Sequence, residues 1–128
     1  MSARVLVVDD NAIVRDSIRD LLLSEPGWDV CGEAANGTEA IERADSLHPD
    51  LIVMDLMMPR VGGLQATREI VKQHPEIRVL ILTLYDYPSL EKEARAAGAS
   101  GCMRKGQSGT LLLETLHQLA LQDPSHSN

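Results

Sequence analysis

The sequence predicts an α/β domain, a doubly wound, five-stranded parallel sheet with helices on both faces. Five short apolar runs begin every 22 to 28 residues, and the stretches between them have helical periodicity. The first and third runs are apolar at consecutive positions, which is typical of central strands covered on both faces. Polar residues follow the runs, as expected where such sheets bind ligands at the carboxyl ends of their strands.

The strands are predicted directly from these apolar runs. In chain order they cover residues 5–8, 28–31, 51–54, 79–82 and 101–103. Right-handed crossovers require all five strands to run in the same direction. The strand order 2-1-3-4-5 then places the first and third strands side by side, at the point where the order reverses.

Capping residues, glycine and proline mark the helices between the strands. Asn11 is a candidate N-cap for the first helix, and Asn36 precedes a second helix that ends at His48. Three further helices are predicted at residues 64–74, 88–97 and 108–121. Gly98 suits the left-handed conformation that ends the fourth helix.

Length and composition limit the domain count and the kinds of partner. A chain of 128 residues is long enough for one hydrophobic core, so we predict one domain at residues 1–121 and a flexible tail at residues 122–128. No output domain is expected in this chain. Nineteen acidic against twelve basic residues give a net charge of −7, which disfavours direct nucleic-acid binding.

The lack of a targeting signal in the sequence and the spacing of its cysteines favour a cytoplasmic domain. No apolar run approaches the roughly 20 residues needed to cross a bilayer, so no membrane association is expected. The N-terminus has no signal-peptide pattern. Cys31 and Cys102 have neither metal-ligand nor redox spacing, and we expect both to be small buried residues.

Reactive side chains follow four of the five predicted strands. In chain order they are Asp9 and Asp10, Asp55, Thr83 and Lys105. Because the carboxyl ends of parallel strands meet at one edge of the sheet, we expect these residues to converge. The second strand ends in Glu33 and Ala34, which offer nothing so obviously reactive.

Three carboxylates at one edge predict a metal site and phosphoryl transfer. Asp9, Asp10 and Asp55 would repel one another and raise at least one pKa, and a divalent cation would remove that repulsion. A few carboxylates, waters and a phosphate oxygen suit the octahedral shell of Mg²⁺ better than that of Ca²⁺. An aspartate is a known nucleophile for acyl-phosphate formation, and Lys105 and Thr83 could position the phosphoryl oxygens.

These residues resemble the receiver domain of two-component response regulators. The likeness covers residues 4 to about 121. The strings that carry it are VLVVDDN at residues 5–11, DLMMP at 55–59 with Gly63, LT at 82–83, AGA at 97–99 and Lys105. The pattern is closest to the LuxR/FixJ-type branch, which usually bears a helix-turn-helix output domain. The resemblance therefore implies a flavodoxin-like fold, and it leaves two alternatives open: a stand-alone receiver, or the front part of a longer parent chain with a DNA-binding domain.

The resemblance also implies a role for each residue of the pocket. Asp55 would be the phosphoacceptor, and Asp9, Asp10, Asp55 and the main-chain carbonyl of Met57 would hold Mg²⁺. Lys105 would bind the phosphoryl group. Thr83 would supply the hydroxyl group of the switch and would not be a metal ligand.

Partners follow from the same resemblance. A sensor histidine kinase or phosphotransfer protein would donate the phosphoryl group and dock at the first helix, where Ile13, Val14 and Ile18 are candidate contacts. Phosphorylation would repack the fourth helix, fifth strand and fifth helix for partner binding or homodimerisation. The domain itself would catalyse the transfer and the later hydrolysis, so it is not expected to be an enzyme in any other sense.

Two departures from the family pattern bear on the switch. Cys102 stands where many receivers have a switching tyrosine or phenylalanine, and Tyr85 or Tyr87 is a candidate replacement; the alternative is two ordinary exposed tyrosines. Met57 and Tyr85 are bulky residues beside the expected path of the hydrolytic water. We therefore expect slow autodephosphorylation.

Other functions compete with this interpretation. A degenerate receiver would bind partners without phosphorylation, but the set of reactive residues is complete. An aspartyl phosphatase needs a second aspartate two residues after the nucleophile, where this chain has Met57. A flavin or nucleotide site would need a glycine-rich loop after the first strand, and none is present.

Histidines and methionines are given structural roles only. The histidines expected to face solvent are His48, His74, His117 and His126. The methionines expected to serve packing are Met54, Met57 and Met58.

Overall fold

The computed structural model describes residues 2–84 and 88–121, and within them five strands alternate with five helices. The strands are β1 (Ala3–Val8), β2 (Trp28–Ala34), β3 (Leu51–Asp55), β4 (Arg78–Thr83) and β5 (Gly101–Arg104). The helices are α1 (Ala12–Leu23), α2 (Gly37–Leu47), α3 (Gly63–Gln73), α4 (Leu90–Ala96) and α5 (Gly109–Leu121).

All five strands are parallel, in the order β2-β1-β3-β4-β5. This confirms the predicted doubly wound fold and places β1 beside β3 at the point where the strand order reverses. Val8 pairs with Met54, so Asp9, directly after β1, and Asp55, the last residue of β3, lie at the same level. The register of the sheet therefore aligns the two predicted acidic positions.

Two hydrophobic cores, one on each face, hold the sheet between its helices. Successive residues of β1 point to opposite faces, with Leu6 and Val8 in one core and Val5 and Val7 in the other. All four side chains are buried. A continuous apolar run is the expected pattern for a strand covered on both faces.

The predicted caps and stops begin and end the helices. The Asn11 side chain accepts a hydrogen bond from the Ile13 amide at 2.9 Å, and that of Asn36 accepts one from Glu39. His48 and Gly98 adopt the left-handed conformation after α2 and α4. The predicted start of the fourth helix at residue 88 was two residues early, because residues 88 and 89 form a turn.

Strand β2 is longer than predicted and reaches Ala34. It is an edge strand that pairs with β1, and Gly32 and Glu33 interrupt the apolar pattern after Cys31, so the apolar run ends before the strand does. The register shifts at Cys31, which lies between the partners of Val5 and Leu6. Cys31 and Cys102 are only partly buried, which corrects the prediction that both are buried. Burial nevertheless raises the pKa of the Cys31 thiol.

Two other expectations on single side chains were wrong. Met57 is 60 % exposed because it lies on the loop after β3 rather than on a packed face, whereas Met54 is fully buried. His74 is largely enclosed, because its ring lies between α2 and α3, 3.3 Å from the Asp45 carboxylate. Its ring also meets that of His48 edge to face. No helix in the described residues is both long and apolar enough to span a bilayer.

Candidate functional site

The carboxyl ends of β1 and β3 bring three carboxylates together. One carboxylate oxygen from each of Asp9, Asp10 and Asp55 lies within 4.8 Å of the other two. Among the described residues this is the only group of three acidic, histidine or cysteine side chains whose ligand atoms come so close. The hard oxygen donors fit Mg²⁺, and the cluster contains no imidazole or thiolate that would favour zinc.

Asp9 is the most constrained member of the cluster. Only 1 % of its surface is exposed, and its amide donates to the Ala34 carbonyl at 3.1 Å. One carboxylate oxygen accepts a hydrogen bond from the Asn11 amide at 2.9 Å, and the other lies 2.6 Å from Nζ of Lys105. Both oxygens of this carboxylate therefore already have partners.

Lys105 bridges two of the carboxylates. Its Nζ lies 3.2 Å from Oδ1 of Asp55 in addition to its closer contact with Asp9. The lysine is anchored through its backbone, because its amide donates to the Thr83 carbonyl at 2.6 Å. Burial alone would lower its pKa, but hydrogen bonding to Asp9 and the charges of Asp55 and Asp9 outweigh that effect and raise it.

The arrangement disfavours the charged form of the Asp55 carboxyl group. Burial raises the pKa of its carboxyl above the usual value of 3.8, and the negative charge of Asp9 raises it further. Lys105 opposes both effects, and Asp10 adds a smaller increase. One ammonium thus compensates the three carboxylates only in part.

Two glycines allow the backbone around Asp55 to pack this tightly. A Cβ on Gly63 would lie 2.1 Å from the Asp55 carbonyl oxygen, and one on Gly37 would lie 2.1 Å from the Val61 oxygen. The loop at residues 56–62 is therefore held between the starts of α2 and α3. Met57 lies on this loop, next to the carboxylates.

The remaining predicted residues lie at the same edge. Thr83 is buried at the end of β4, one residue beyond Leu82, the partner of Asp55 in the sheet. Tyr85 and Tyr87, the candidate switch residues, lie outside the described residues. The structure thus brings together four of the predicted polar side chains and places the threonine on the neighbouring strand end.

A groove leads from the carboxylates between α1 and α5. Its volume is about 520 Å³, and it is lined by apolar side chains of both helices. Ile13, on the first turn of α1, is 76 % exposed beside it. Ile18 also lines the groove but is only 6 % exposed, because most of its side chain packs in the core.

Sequence reasoning missed Arg15, which contacts the backbone of the cluster, and Glu33, which contacts Arg15. Arg15 donates through an Nη atom to the main-chain carbonyl of Asp9 at 2.7 Å, and its Nε lies 3.2 Å from Glu33. Glu33 stands near the carboxyl end of β2, where the strand-end argument already pointed. The sequence did contain a signal for this contact. Arg15 and Arg19 are spaced four residues apart, so they lie on the same face of α1 and could both pair with Glu33.

The comparison with known proteins decides the family. The response regulator receiver domain family matches residues 5–117. The chain belongs to this family. The match and the acidic cluster together confirm the predicted class of function, a receiver domain of two-component systems with a pocket suited to Mg²⁺-dependent phosphorylation. The chain is therefore a receiver domain of the response-regulator type.

Relatives of the receiver domain include whole regulators and single-domain proteins. It is 42 % identical over 103 residues to the response regulator GacA of Pseudomonas viridiflava, which covers 80 % of this chain and 48 % of GacA. It is 34 % identical over 120 residues to the chemotaxis protein CheY of Thermotoga maritima, covering 94 % and 99 % of the two chains. The chain spans about half the length of several curated regulators that it matches.

The predicted branch is confirmed by structural similarity. A two-component response regulator of the LuxR family from Aurantimonas sp. SI85-9A1 superposes with a TM-score of 0.89 at 36 % identity. The alignment covers 94 % of this chain and 86 % of that one.

Proposed function

We propose that Asp55 accepts a phosphoryl group from a phosphohistidine of a sensor histidine kinase or phosphotransfer protein. The observation that carries the proposal is the position of Asp55, beside Asp10 and 3.2 Å from the Lys105 ammonium. An Asp55 carboxylate oxygen attacks phosphorus, the bond from phosphorus to the imidazole nitrogen breaks, and its electron pair returns to the ring. Water later attacks the same phosphorus, which releases inorganic phosphate and restores the carboxylate.

The contacts of the three carboxylates favour Asp55 as the nucleophile. Both oxygens of Asp9 are occupied by donors, which leaves this residue suited to a supporting role. Asp10 is exposed at the start of α1. Asp55 is enclosed, and Lys105 is its only described ion-pair partner.

We assign Mg²⁺ to Asp9, Asp10, Asp55 and the carbonyl of Met57, by resemblance to the family pattern. When bound, the cation would neutralise charge on the phosphoryl oxygens. Lys105 would hold another phosphoryl oxygen, since its ammonium already lies between two carboxylates. The Thr83 hydroxyl would move toward the phosphoryl group, and this movement would couple phosphorylation to the surfaces of α4, β5 and α5. Tyr85 and Tyr87 remain candidates for the aromatic part of this switch.

The partner assignments form part of the same proposal. The donor protein would dock on the groove beside α1, with Ile13 and Val14 as contacts, because both residues line it next to the carboxylates. The receiver would cover residues 1–121 and act in the cytoplasm. The relation to the LuxR branch supports a C-terminal DNA-binding domain in a longer parent chain, and the α4, β5 and α5 surfaces are proposed for homodimerisation.

Intact mass spectrometry after incubation with acetyl phosphate tests the reaction. We expect one phosphate adduct in the presence of Mg²⁺ and none in Asp55→Asn. Asp20→Asn removes an exposed aspartate of α1 and should keep the adduct. An adduct that persists in Asp55→Asn would contradict the assignment, and a wild-type protein that forms none would favour the degenerate receiver. The decay of the adduct also tests the predicted slow autodephosphorylation, which a half-life of seconds would refute.

A further inference from the structure

Behind the acidic cluster, the end of β2 carries a carboxylate held by two arginines of α1. Glu33 lies 3.2 Å from Nε of Arg15 through one oxygen and 3.1 Å from an Nη atom of Arg19 through the other. Because both oxygens are held from the same helix, the Arg15 guanidinium has a fixed orientation. The Arg15 side chain is largely buried, so little solvent competes for these contacts.

The free end of this guanidinium reaches the metal site through the backbone. Arg15 donates to the Asp9 carbonyl oxygen at 2.7 Å, while the Asp9 amide is held by Ala34. The peptide unit that begins with this carbonyl is planar and ends at the nitrogen and Cα of Asp10. Anchoring the carbonyl therefore fixes the direction in which the Asp10 residue leaves the strand.

Asp10 depends on this anchor more than its neighbours do. Asp9 has its own carboxylate contacts, and Asp55 is paired with Lys105. The Asp10 carboxylate makes no hydrogen bond or ion pair with any other described residue, so only its backbone places it within reach of Asp55.

We propose that Arg15, oriented by Glu33, is a positioning residue of the metal site. It holds the peptide between Asp9 and Asp10 so that the Asp10 carboxylate faces Asp55 at a distance suited to one shared cation. The proposal rests on the proposed function, since it concerns binding of Mg²⁺ by the same cluster. It gives a role to Glu33, the one strand end without an assigned role.

The charge of Arg15 and its position predict opposite effects on metal binding. If the arginine acted only as a nearby positive charge, its removal would make the cluster more negative and would strengthen Mg²⁺ binding. If it positions Asp10, its removal weakens Mg²⁺ binding, since partners that orient metal ligands typically contribute about tenfold or more to affinity. The sign of the change therefore separates the two roles.

Calorimetric titration of the wild type and variants with Mg²⁺ measures this sign. We expect Arg15→Ala to raise the Kd by about tenfold. Arg15→Lys keeps the charge but has a single ammonium that cannot replace the guanidinium fork, so it should also bind more weakly. Glu33→Gln keeps an acceptor for Arg15 and should show a smaller loss in the same direction.

Arg43→Ala is the matched control. Arg43 donates to a strand-end carbonyl in the same way, at 2.8 Å, but to Glu33 rather than to Asp9. It should keep the wild-type Kd. Circular dichroism melting identifies any variant that fails to fold, and the lysine and glutamine variants then carry the test.

Three outcomes would overturn the proposal: unchanged or tighter binding by Arg15→Ala, wild-type binding by Arg15→Lys, or an equal loss in Arg43→Ala. Failure of the wild type to bind Mg²⁺ would instead remove the proposed function itself.

Discussion

At the amino-terminal edge of the sheet, charged side chains are hydrogen-bonded to backbone groups, whereas at the carboxyl-terminal edge like charges are held together. The Arg4 amide donates to the Asp50 carboxylate at 2.8 Å, and the Arg4 guanidinium donates to the last carbonyls of α2, at Leu47 and His48. This contact opposes the partial negative charge at the helix end. At the other edge, three carboxylates lie close together, and Lys105 pairs with only two of them, Asp9 and Asp55.

The difference shows how one sheet can be both stable and reactive. Charges at the amino-terminal edge complete the hydrogen bonds of strands and helix ends, so they contribute to stability without a ligand. Charges at the carboxyl-terminal edge repel one another in part, and a cation or phosphoryl group can relieve that repulsion. Each of the following predictions tests this contrast, in order of expected size.

The largest effect on stability should come from a substitution that displaces the backbone at Asp55. Gly63→Ala would push a methyl group against the Asp55 carbonyl oxygen, 2.1 Å away, and we expect it to lower the free energy of unfolding by about 3 kcal/mol. Gly62→Ala is the matched control, because its Cβ would meet nothing closer than 3.6 Å. Its effect should stay within about 1 kcal/mol. Urea denaturation measures both, and equal losses would contradict the tight packing at Asp55.

Mg²⁺ should stabilise the folded protein by relieving the repulsion. At a Mg²⁺ concentration one hundred times the Kd, binding should add about 2.7 kcal/mol to the free energy of unfolding. EDTA should reverse the gain, and Asp10→Asn should abolish it. Asp50→Asn, at the opposite edge, should leave the response to Mg²⁺ intact. Thermal melting with and without Mg²⁺ measures the effect, and an equal response in Asp10→Asn would argue against the cluster as the binding site.

The smallest effects on the free energy of unfolding should have opposite signs for substitutions at the two edges of the sheet. In metal-free protein at neutral pH, Asp55→Asn should raise stability because it removes a buried, repelled carboxylate. Asp50→Ala should lower stability by about 1 kcal/mol because it removes the acceptor of the Arg4 amide. Urea denaturation in EDTA compares the two variants, and a loss of stability in both would refute the contrast.

The gain in stability from Asp55→Asn should depend on pH, because the pKa of the Asp55 carboxyl is raised in the folded protein. The folded state binds this proton more tightly than the unfolded state, so the wild type loses stability as pH rises from about 3.8 through the folded pKa. Above that window the gain from Asp55→Asn is fully present. Below about pH 3.8 the carboxyl is protonated in both states, and the gain should disappear.

Much of the fold and the candidate site could be predicted because their signals are local or topological. Apolar runs at consecutive positions marked the strands, and Asn11 and Asn36 marked two helix starts. The polar residues of the edge were recognisable because they directly follow the apolar runs. The parallel order then required these residues to meet, since Val8 and Met54 are in register. None of these inferences needed the position of a side chain.

Side-chain contacts between distant elements could not be obtained in this way. Ile13 and Ile18 are equally apolar, yet one is exposed and the other lies in the core, because their directions on α1 differ relative to the sheet. His74 looked like a solvent-facing residue at a helix end until α2 packed against it. Burial of such residues depends on which element covers them.

The sequence by itself determined the strand order, the acidic edge and the residue types available for Mg²⁺ and a phosphoryl group. Only the tertiary structure decided that Lys105 lies closer to Asp9 than to Asp55, and that Arg15 and Glu33 hold the backbone of the acidic pair. The physical reason is range. Backbone periodicity and strand direction are properties of consecutive residues, whereas ion pairs and hydrogen bonds depend on distances of a few ångströms between side chains that only packing brings together.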